Sequence, residues 1–80
     1  MITVRYFAGA RAAAGVEQET APAGGSLDDL LAELASRHGQ RLAAILKAAS
    51  FLVDGVARHD RDKVLPDGVT VDVLPPFAGG

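Results

Sequence analysis

Apolar and polar positions alternate at both ends of the chain. Near the start, the two alternating sets are Ile2, Val4 and Tyr6 on one side and Thr3, Arg5 and Phe7 on the other. A period of two is typical of a strand with one buried face, so residues 1–8 are predicted to form a strand. Residues 16–20 predict a second strand, antiparallel to the first and exposed. The period returns in residues 69–73, which predicts a last strand that runs into Leu74.

Between these strands the spacing of apolar residues becomes that of a helix. The apolar residues at i, i+3, i+4, i+7 and i+8 are Leu27, Leu30, Leu31, Leu34 and Ala35. Such a stripe predicts an amphipathic helix. Ser26 is a suitable N-cap with Asp29 at capping-box spacing, and Gly39 is a natural stop. The same spacing in residues 42–49 predicts a second, shorter helical segment.

Turn residues divide the second half of the chain into short strands. Asp54-Gly55 predicts a hairpin between residues 51–53 and 56–57, and Pro66-Asp67-Gly68 predicts a turn before the last strand. The charged residues 58–63 are expected to form a solvated loop. This order favours an α+β fold of the β-grasp type, in which a mixed sheet of four to five strands packs on one main helix.

Composition limits the classes of function. Eighty residues, of which 49% are hydrophobic, suffice for one small domain with a real core. The net charge of −2 argues against nucleic acid as a partner. No apolar run approaches the ~18 residues of a membrane span. The first residues lack the pattern of a signal peptide, so a cytoplasmic protein is expected.

The final six residues, Pro75-Pro76-Phe77-Ala78-Gly79-Gly80, are the most distinctive segment. Pro-Pro favours an extended backbone, and six residues reach roughly 20 Å. Residues 1–74 are therefore expected to form the folded domain, and residues 75–80 a flexible tail that presents its terminal carboxyl group. The small residues 78–80 suit a narrow channel. A frayed terminus or an expression scar is the alternative interpretation.

Three segments together identify a family. They are Val4-x-Tyr6-Phe7-Ala8 with Arg11 and Gly15, then Leu52-Val53-Asp54-Gly55, and finally Leu65-x-Asp67-Gly68-x-x-Val71-x-Val73-Leu74-Pro75-Pro76-x-x-Gly79-Gly80. With these residues the chain resembles the small subunit of molybdopterin synthase (the MoaD type), one of the ubiquitin-like sulfur carriers (MoaD/ThiS). Residues 16–50 match only as a strand, a loop and an amphipathic helix.

The resemblance implies a carrier cycle at the C-terminus. A MoeB-type, E1-like enzyme would adenylate Gly80 with ATP, and a sulfur donor such as a cysteine desulfurase or a rhodanese would convert it to a thiocarboxylate. Gly79 and Gly80 would be the reacting end, with residues 75–78 (Pro75, Pro76, Phe77 and Ala78) in the cleft of a MoaE-type large subunit. That subunit would use the sulfur to build the dithiolene of molybdopterin. The precedent in the family is a heterotetramer.

The residues agree with a carrier that catalyses nothing alone. The chain has no phosphate-binding Gly-x-x-x-x-Gly-Lys motif, so no cofactor is expected on it and ATP belongs to a partner. It has no cysteine, and its two histidines, His38 and His59, do not make a metal site. A persulfide on this chain is thus excluded, whereas a terminal thiocarboxylate is not.

Three other residues have more than one interpretation. Phe77 is expected to anchor in a partner's cleft, although it could pack on its own domain. Phe7 and Arg11 are candidates for a partner surface, but Phe7 equally suits the core and Arg11 a solvated turn.

Alternative functions share the fold. The chain could carry sulfur for thiamine or cysteine synthesis, or it could be a ubiquitin-like modifier joined to lysines. It could also be a β-grasp binding module with an inert tail.

Overall fold

The structure, a computed structural model, describes residues 1–76. Phe77 to Gly80 lie outside the described residues, and so does the predicted flexibility of that part of the tail. The elements below are given within residues 1–76.

Five strands form one mixed sheet. They are β1 (Ile2–Tyr6), β2 (Gln18–Ala21), β3 (Ser50–Val53), β4 (Val56–Ala57) and β5 (Thr70–Leu74). Their order across the sheet is β2-β1-β5-β3-β4. The two terminal strands, β1 and β5, lie side by side and parallel, whereas the other neighbours are antiparallel. The predicted mixed sheet is confirmed, with five strands.

Three helices cover one face of the sheet. They are α1 (Gly9–Ala14), α2 (Leu27–His38) and α3 (Gln40–Ala48). The main helix and the shorter one after it are confirmed as α2 and α3. The alanine-rich residues 11–15, closed by Gly15, predict a short helical or turn connection. In the structure this connection is the helix α1, which begins two residues earlier, at Gly9.

The core lies between the helices and the sheet. Its largest fully buried side chains are Ile2, Val4, Tyr6, Leu27, Leu34, Leu42, Leu65, Val71 and Val73. Alternate residues of β1 and β5 point into this layer, as a period of two requires. The opposite face of the sheet carries no helix within residues 1–76, and we call it the open face.

Local signals fix the ends of α2 as predicted. The Ser26 hydroxyl accepts a hydrogen bond from the Asp29 amide at 3.1 Å, and the Asp29 carboxylate accepts one from the Ser26 amide at 3.0 Å. This reciprocal pair is a capping box. Gly39 ends α2 with a φ of 91°, a value that suits glycine because it has no Cβ.

The Asp54-Gly55 hairpin is also confirmed. Both residues have positive φ, 49° and 82°, as a two-residue turn of type I′ requires. The Asp54 carboxylate accepts a hydrogen bond from the Thr70 amide at 2.8 Å. The turn therefore also holds the start of β5.

The prediction that residues 58–63 are simply solvated is wrong for two arginines. Arg58 and Arg61 are half-buried. The Arg58 amide donates to the Phe51 carbonyl at 2.9 Å, and the Arg61 guanidinium lies 5.1 Å from the centroid of the Phe51 ring. The loop packs against β3 because Phe51 offers it both a backbone acceptor and an aromatic face.

The second strand was predicted to be exposed, but Glu19 is half-buried in a polar cluster. Its carboxylate accepts hydrogen bonds from the Tyr6 hydroxyl at 2.5 Å and from Arg37 Nη1 at 3.0 Å, and it lies 2.5 Å from His38 Nε2. The His38 ring also meets Tyr6 edge-to-face, with 6.0 Å between centroids. The cluster joins β1, β2 and the end of α2.

This cluster shifts two pKa values. Burial, and then the hydrogen bond to Glu19, raises the pKa of Tyr6 far above its ordinary value. Burial acts to raise the pKa of Glu19, but the hydrogen bonds from Tyr6, His38 and Arg37 outweigh it, and the pKa is lowered from 4.5. The folded protein therefore holds the Glu19 carboxylate ionised more firmly than the unfolded chain does.

We predict that Glu19→Gln lowers the free energy of unfolding near neutral pH by roughly 1–3 kcal/mol, since the charged partner of Tyr6, Arg37 and His38 is lost. Because the folded pKa of Glu19 lies below its unfolded value, the contribution is fully present above that value. It is lost as pH falls through the folded pKa. The difference between wild type and variant should therefore shrink in acid, as measured by urea unfolding at neutral and acidic pH.

The matched control is Glu17→Gln. Glu17 is 76% exposed and its carboxylate lies 3.7 Å from Arg11 Nη2. This variant should change stability by less than about 0.5 kcal/mol at either pH. Equal losses in the two variants, or a Glu19→Gln loss that does not depend on pH, would contradict the role of the cluster.

Candidate functional site

The candidate site is the point where the chain leaves the sheet. Strand β5 pairs with β1 on one side and β3 on the other, and Val71 and Val73 are fully buried. After Leu74 come Pro75, which is half-buried, and Pro76, which is exposed. Proline has no amide hydrogen to donate, so the ladder ends here. We call residues 74–76 the tail base.

The predicted site residues fall into two groups. Pro75 and Pro76 are described and form the tail base. Phe77, Ala78, Gly79 and Gly80 lie outside the described residues, so their predicted roles stay predictions. The structure places the beginning of the tail at the end of the most enclosed strand of the sheet.

Phe7 lies beside the tail base. Its amide donates to the Val73 carbonyl at 3.2 Å, which continues the parallel pairing of β1 and β5. The ring is half-buried on the open face, with the Arg5 guanidinium carbon 5.6 Å from its centroid. Phe7 is therefore not a core residue, and its ring is available to a partner at the tail base.

Two further apolar residues extend this surface. Leu52 and Leu74 are half-buried, and the register places them on the open face next to Asp72 and Ser50. Sequence reasoning did not assign them to it. The alternation in their strands shows that they point away from the core, but the pairing that brings them near Phe7 is not visible in the sequence.

An ion pair crosses the middle of the open face. Arg5 Nε and Nη2 donate to the two carboxylate oxygens of Asp72 at 2.6 and 2.9 Å. The Asp72 side chain is only 8% exposed, whereas Arg5 is about half exposed. The bidentate contact gives Asp72, the one charged residue that is buried among residues 1–76, a hydrogen-bond donor for each carboxylate oxygen. It leaves Phe7, Leu52 and Leu74 as the contact groups of this face.

Arg11 is held next to the same end of β1. It lies on α1, its Nε donates to the Tyr6 carbonyl at 3.3 Å, and its Nη2 lies 3.7 Å from the Glu17 carboxylate. Arg11 and Phe7 line one small pocket of 130 Å³. The structure thus brings the two predicted partner-surface residues together, with Arg11 half exposed.

An apolar groove lies on the helix side of the tail base. It measures 420 Å³ and is lined by Ala8, Gly9, Ala44, Ile45, Ala48, Pro75 and Pro76. Exposed alanines one helical turn apart, Ala44 and Ala48, form its floor. The four-residue spacing of these alanines is visible in the sequence and indicates that they share one face of a helix, but it does not indicate what packs against that face. The tail base therefore has apolar surface on both sides.

Two features are absent from the described residues. No group of three or more metal-ligating side chains occurs within residues 1–76. None of the helices in that range is long and apolar enough to cross a membrane. The side chains around the tail base, Phe7, Leu74 and Ile45 among them, offer apolar contacts.

Comparisons with known proteins agree with this geometry. Residues 4–80 match the ThiS family. The chain is 35% identical over 82 residues to the molybdopterin synthase sulfur carrier subunit of Chlamydomonas reinhardtii, covering 99% of this chain and 98% of that protein.

Solved structures show the same fold. A protein assigned as molybdopterin converting factor, subunit 1, from Pyrococcus furiosus is 30% identical with a TM-score of 0.74, covering 94% of this chain and 95% of that one. Subunits 1 and 2 of molybdopterin-converting factor from Helicobacter pylori form a complex whose matching chain has a TM-score of 0.72, 23% identity and coverages of 99% and 97%. Small archaeal modifier protein 1 from Methanosarcina acetivorans has a TM-score of 0.79 and is 22% identical, covering 99% of this chain and 95% of that one.

The last two likenesses show the fold alone, which is the ubiquitin-like β-grasp. The family match and the curated relative extend along nearly the whole length of this chain. This protein therefore belongs to the ThiS family.

Proposed function

We propose that this protein is a sulfur carrier that acts in the cytoplasm as the small subunit of molybdopterin synthase. The observation that supports this most directly is its 35% identity to a molybdopterin synthase sulfur carrier subunit along nearly the whole of both chains. The geometry is consistent with this function, because β5 ends at the tail base, which lies between the open face and the apolar groove. A partner that receives residues 77–80 can dock on those surfaces.

The first chemical step is activation of the carboxyl group of Gly80. An α-carboxyl group has a pKa near 3.5 and is ionised at neutral pH, so it is a poor electrophile. One of its oxygens attacks the α-phosphate of ATP on an E1-like partner, and pyrophosphate leaves. The product is an acyl-adenylate, in which AMP is the leaving group. Gly79 and Gly80 have no side chains, so an enclosed active site can surround them closely.

The second step introduces sulfur. The terminal sulfur of a donor persulfide, on a cysteine desulfurase or a rhodanese, attacks the activated carbonyl and AMP leaves. A thiol then cleaves the resulting acyl disulfide, which leaves a thiocarboxylate on Gly80 and a disulfide on the donor side. The carrier itself has no cysteine, so no thiol of its own competes for this sulfur.

The carrier then delivers the thiocarboxylate to a large subunit. The Helicobacter pylori relative was solved as a complex of subunits 1 and 2 of its converting factor, which is the kind of partner proposed for this chain. Phe7, Leu52 and Leu74 on the open face form the proposed contact surface, with Pro75 and Pro76 leading the tail into the partner's cleft. Phe77 would anchor there.

A protein-modifier role is a second candidate. The likeness to small archaeal modifier protein 1 favours it at the level of fold. Both roles begin with the same adenylated glycine, and they differ in the nucleophile, which is a lysine amine for a modifier. Gly-Gly remnants on lysines of other proteins in the source cells would support the modifier role, and thiocarboxylate on the free protein supports the carrier.

We predict that the purified protein, incubated with its E1-like enzyme, ATP and a persulfide donor, gains the mass that corresponds to one oxygen replaced by one sulfur. Intact-mass spectrometry measures this directly, and tandem fragmentation should place the sulfur on Gly80. The gain should require ATP, because the free carboxylate does not react with the donor.

The control for this experiment is the protein extended by one alanine after Gly80, with Arg41→Met as a substitution of an exposed side chain on α3. The extended protein should gain no sulfur, whereas the Arg41 variant should match the wild type. If the wild type shows no gain, or if sulfur is found away from Gly80, the carrier function is contradicted.

A separate prediction concerns docking. Phe7→Ala should weaken binding to the large subunit at least about tenfold, because truncating a central aromatic contact typically removes more than 1 kcal/mol. Isothermal titration calorimetry with the extended, unreactive carrier would measure it. Val64→Ala is the matched control, since Val64 is 62% exposed and lies near the start of α2. Equal affinities for the two variants would mean that the open face does not contact the large subunit.

A further inference from the structure

A pocket beside β3 and β4 is lined by cationic side chains. It measures 210 Å³ and is lined by Ala49, Ser50, Phe51, Leu52, Ala57, Arg58, His59 and Arg61. Three of these residues carry nitrogen donors in their side chains, and none of the lining residues is acidic. We call it the basic pocket.

Arg58 is the unusual member. Its Nη1 atom is closed off from solvent and has no hydrogen-bond partner among residues 1–76. Buried polar atoms almost always have a partner, and an unpaired donor on a charged group is costly. No ion pair involves Arg58 within the described chain. Nη1 itself is closed to a ligand, but Arg58 is only half-buried and lines the pocket, where no anion from residues 1–76 accompanies it.

Arg61 adds a second fixed charge. Its guanidinium lies over the Phe51 ring, and its carbonyl accepts a hydrogen bond from the Asp28 amide at 2.9 Å, which holds the loop against the start of α2. The nearest acidic residues in sequence are Asp60 and Asp62, both exposed, and the Asp60 carboxylate accepts a hydrogen bond from the Asp62 amide. These carboxylates do not line the pocket.

The chemistry of these groups selects the ligand. A guanidinium presents parallel N–H donors that match the two oxygens of a carboxylate, and such charge-assisted pairs are the strong ones. The flanking Asp60 and Asp62, on a chain of net charge −2, disfavour a doubly charged phosphate relative to a singly charged carboxylate. The ligand that fits is thus one carboxylate group.

The position of the pocket identifies where the carboxylate comes from. Ser50, which lines the pocket, pairs with Leu74 across the β3–β5 ladder. The pocket therefore opens at the end of the sheet from which the tail departs. A protein that docks at the tail base can therefore reach the pocket.

We propose that the basic pocket binds an aspartate or glutamate side chain of the protein that docks at the tail base, with Arg58 as the main contact. The identity of that protein as the large subunit rests on the proposed function. The existence of the carboxylate site does not rest on the proposed function, because the site lies within the isolated domain.

The first test uses the isolated protein and acetate as the probe. Side-chain Nε–Hε signals of ¹⁵N-labelled arginines are followed by NMR during titration with sodium acetate at constant ionic strength. Arg58 should shift saturably, with a dissociation constant on the order of 10 mM for one charge-assisted pair. Arg41, which is exposed on α3, should not shift. Equal chemical-shift changes of Arg58 and Arg41 would show that the basic pocket is not a carboxylate site.

Phosphate is the comparison probe under the same conditions. Weaker binding of phosphate than of acetate supports a carboxylate site. If phosphate binds more tightly, the pocket belongs to a free or nucleotide phosphate and the assignment to a partner carboxylate is wrong.

The second test measures affinity for the large subunit with substituted carriers. Arg58→Met keeps the aliphatic stem and should weaken the complex at least tenfold, whereas Arg41→Met should leave it unchanged. Arg58→Lys keeps the charge but lacks the planar guanidinium, so its affinity should lie between those of the Arg58→Met and Arg41→Met variants. If Arg58→Met fails to fold, Arg58→Lys is used in its place. Unchanged affinity in the Arg58 variants would overturn the role of the pocket in docking.

The two proposals can fail separately. Both Arg58 variants should still gain sulfur on Gly80, because the pocket is distinct from the reacting carboxyl group. If the wild-type protein neither gains sulfur nor binds the large subunit, the proposed function is contradicted. The large subunit is then no longer the partner in this inference. The acetate titration still decides whether the carboxylate site exists.

Discussion

The enclosure of β5 between β1 and β3 is the constraint on which the rest of the structure depends. Paired on both sides, this strand has its backbone donors and acceptors occupied and its Val71 and Val73 side chains in the centre of the core. A strand held in this way cannot shift in register without moving a row of buried residues to the other face. The position of the tail base is therefore as fixed as the core itself.

One consequence is a division of the molecule into a helix-covered face and an open face. The three helices of residues 1–76 lie on one side of the sheet, so the other side keeps Phe7, Leu52 and Leu74 partly exposed. The charges on that side, Arg5 and Asp72, neutralise each other in a bidentate pair. A partner that covers this face gains apolar contact and meets few unpaired charges that would have to lose their water.

The surfaces around the tail base have different chemistry. The open face carries apolar side chains and an internal ion pair, and the groove beside α1 and α3 is lined mostly by small apolar residues. The basic pocket is lined by Arg58 and Arg61, and Arg58 Nη1 has no partner among residues 1–76. Three such surfaces around one exit point give a partner several independent contacts. Under the proposed function, contacts away from Gly80 then determine which protein receives the tail.

The sequence by itself determined the features that depend on neighbouring residues. The alternation in β1, the capping box at Ser26, the Asp54-Gly55 turn and the Pro-Pro ending are each set by steric and hydrogen-bonding rules that act within a few residues. Only the tertiary structure decided that β1 and β5 are parallel neighbours, that Glu19 joins Tyr6 and His38, and that Arg58 and Arg61 pack against Phe51 of β3. These contacts join residues far apart in the chain, 67 positions in the case of Arg5 and Asp72. Their formation depends on how whole elements pack together, because a charged side chain looks the same in the sequence whether it meets water or a buried partner.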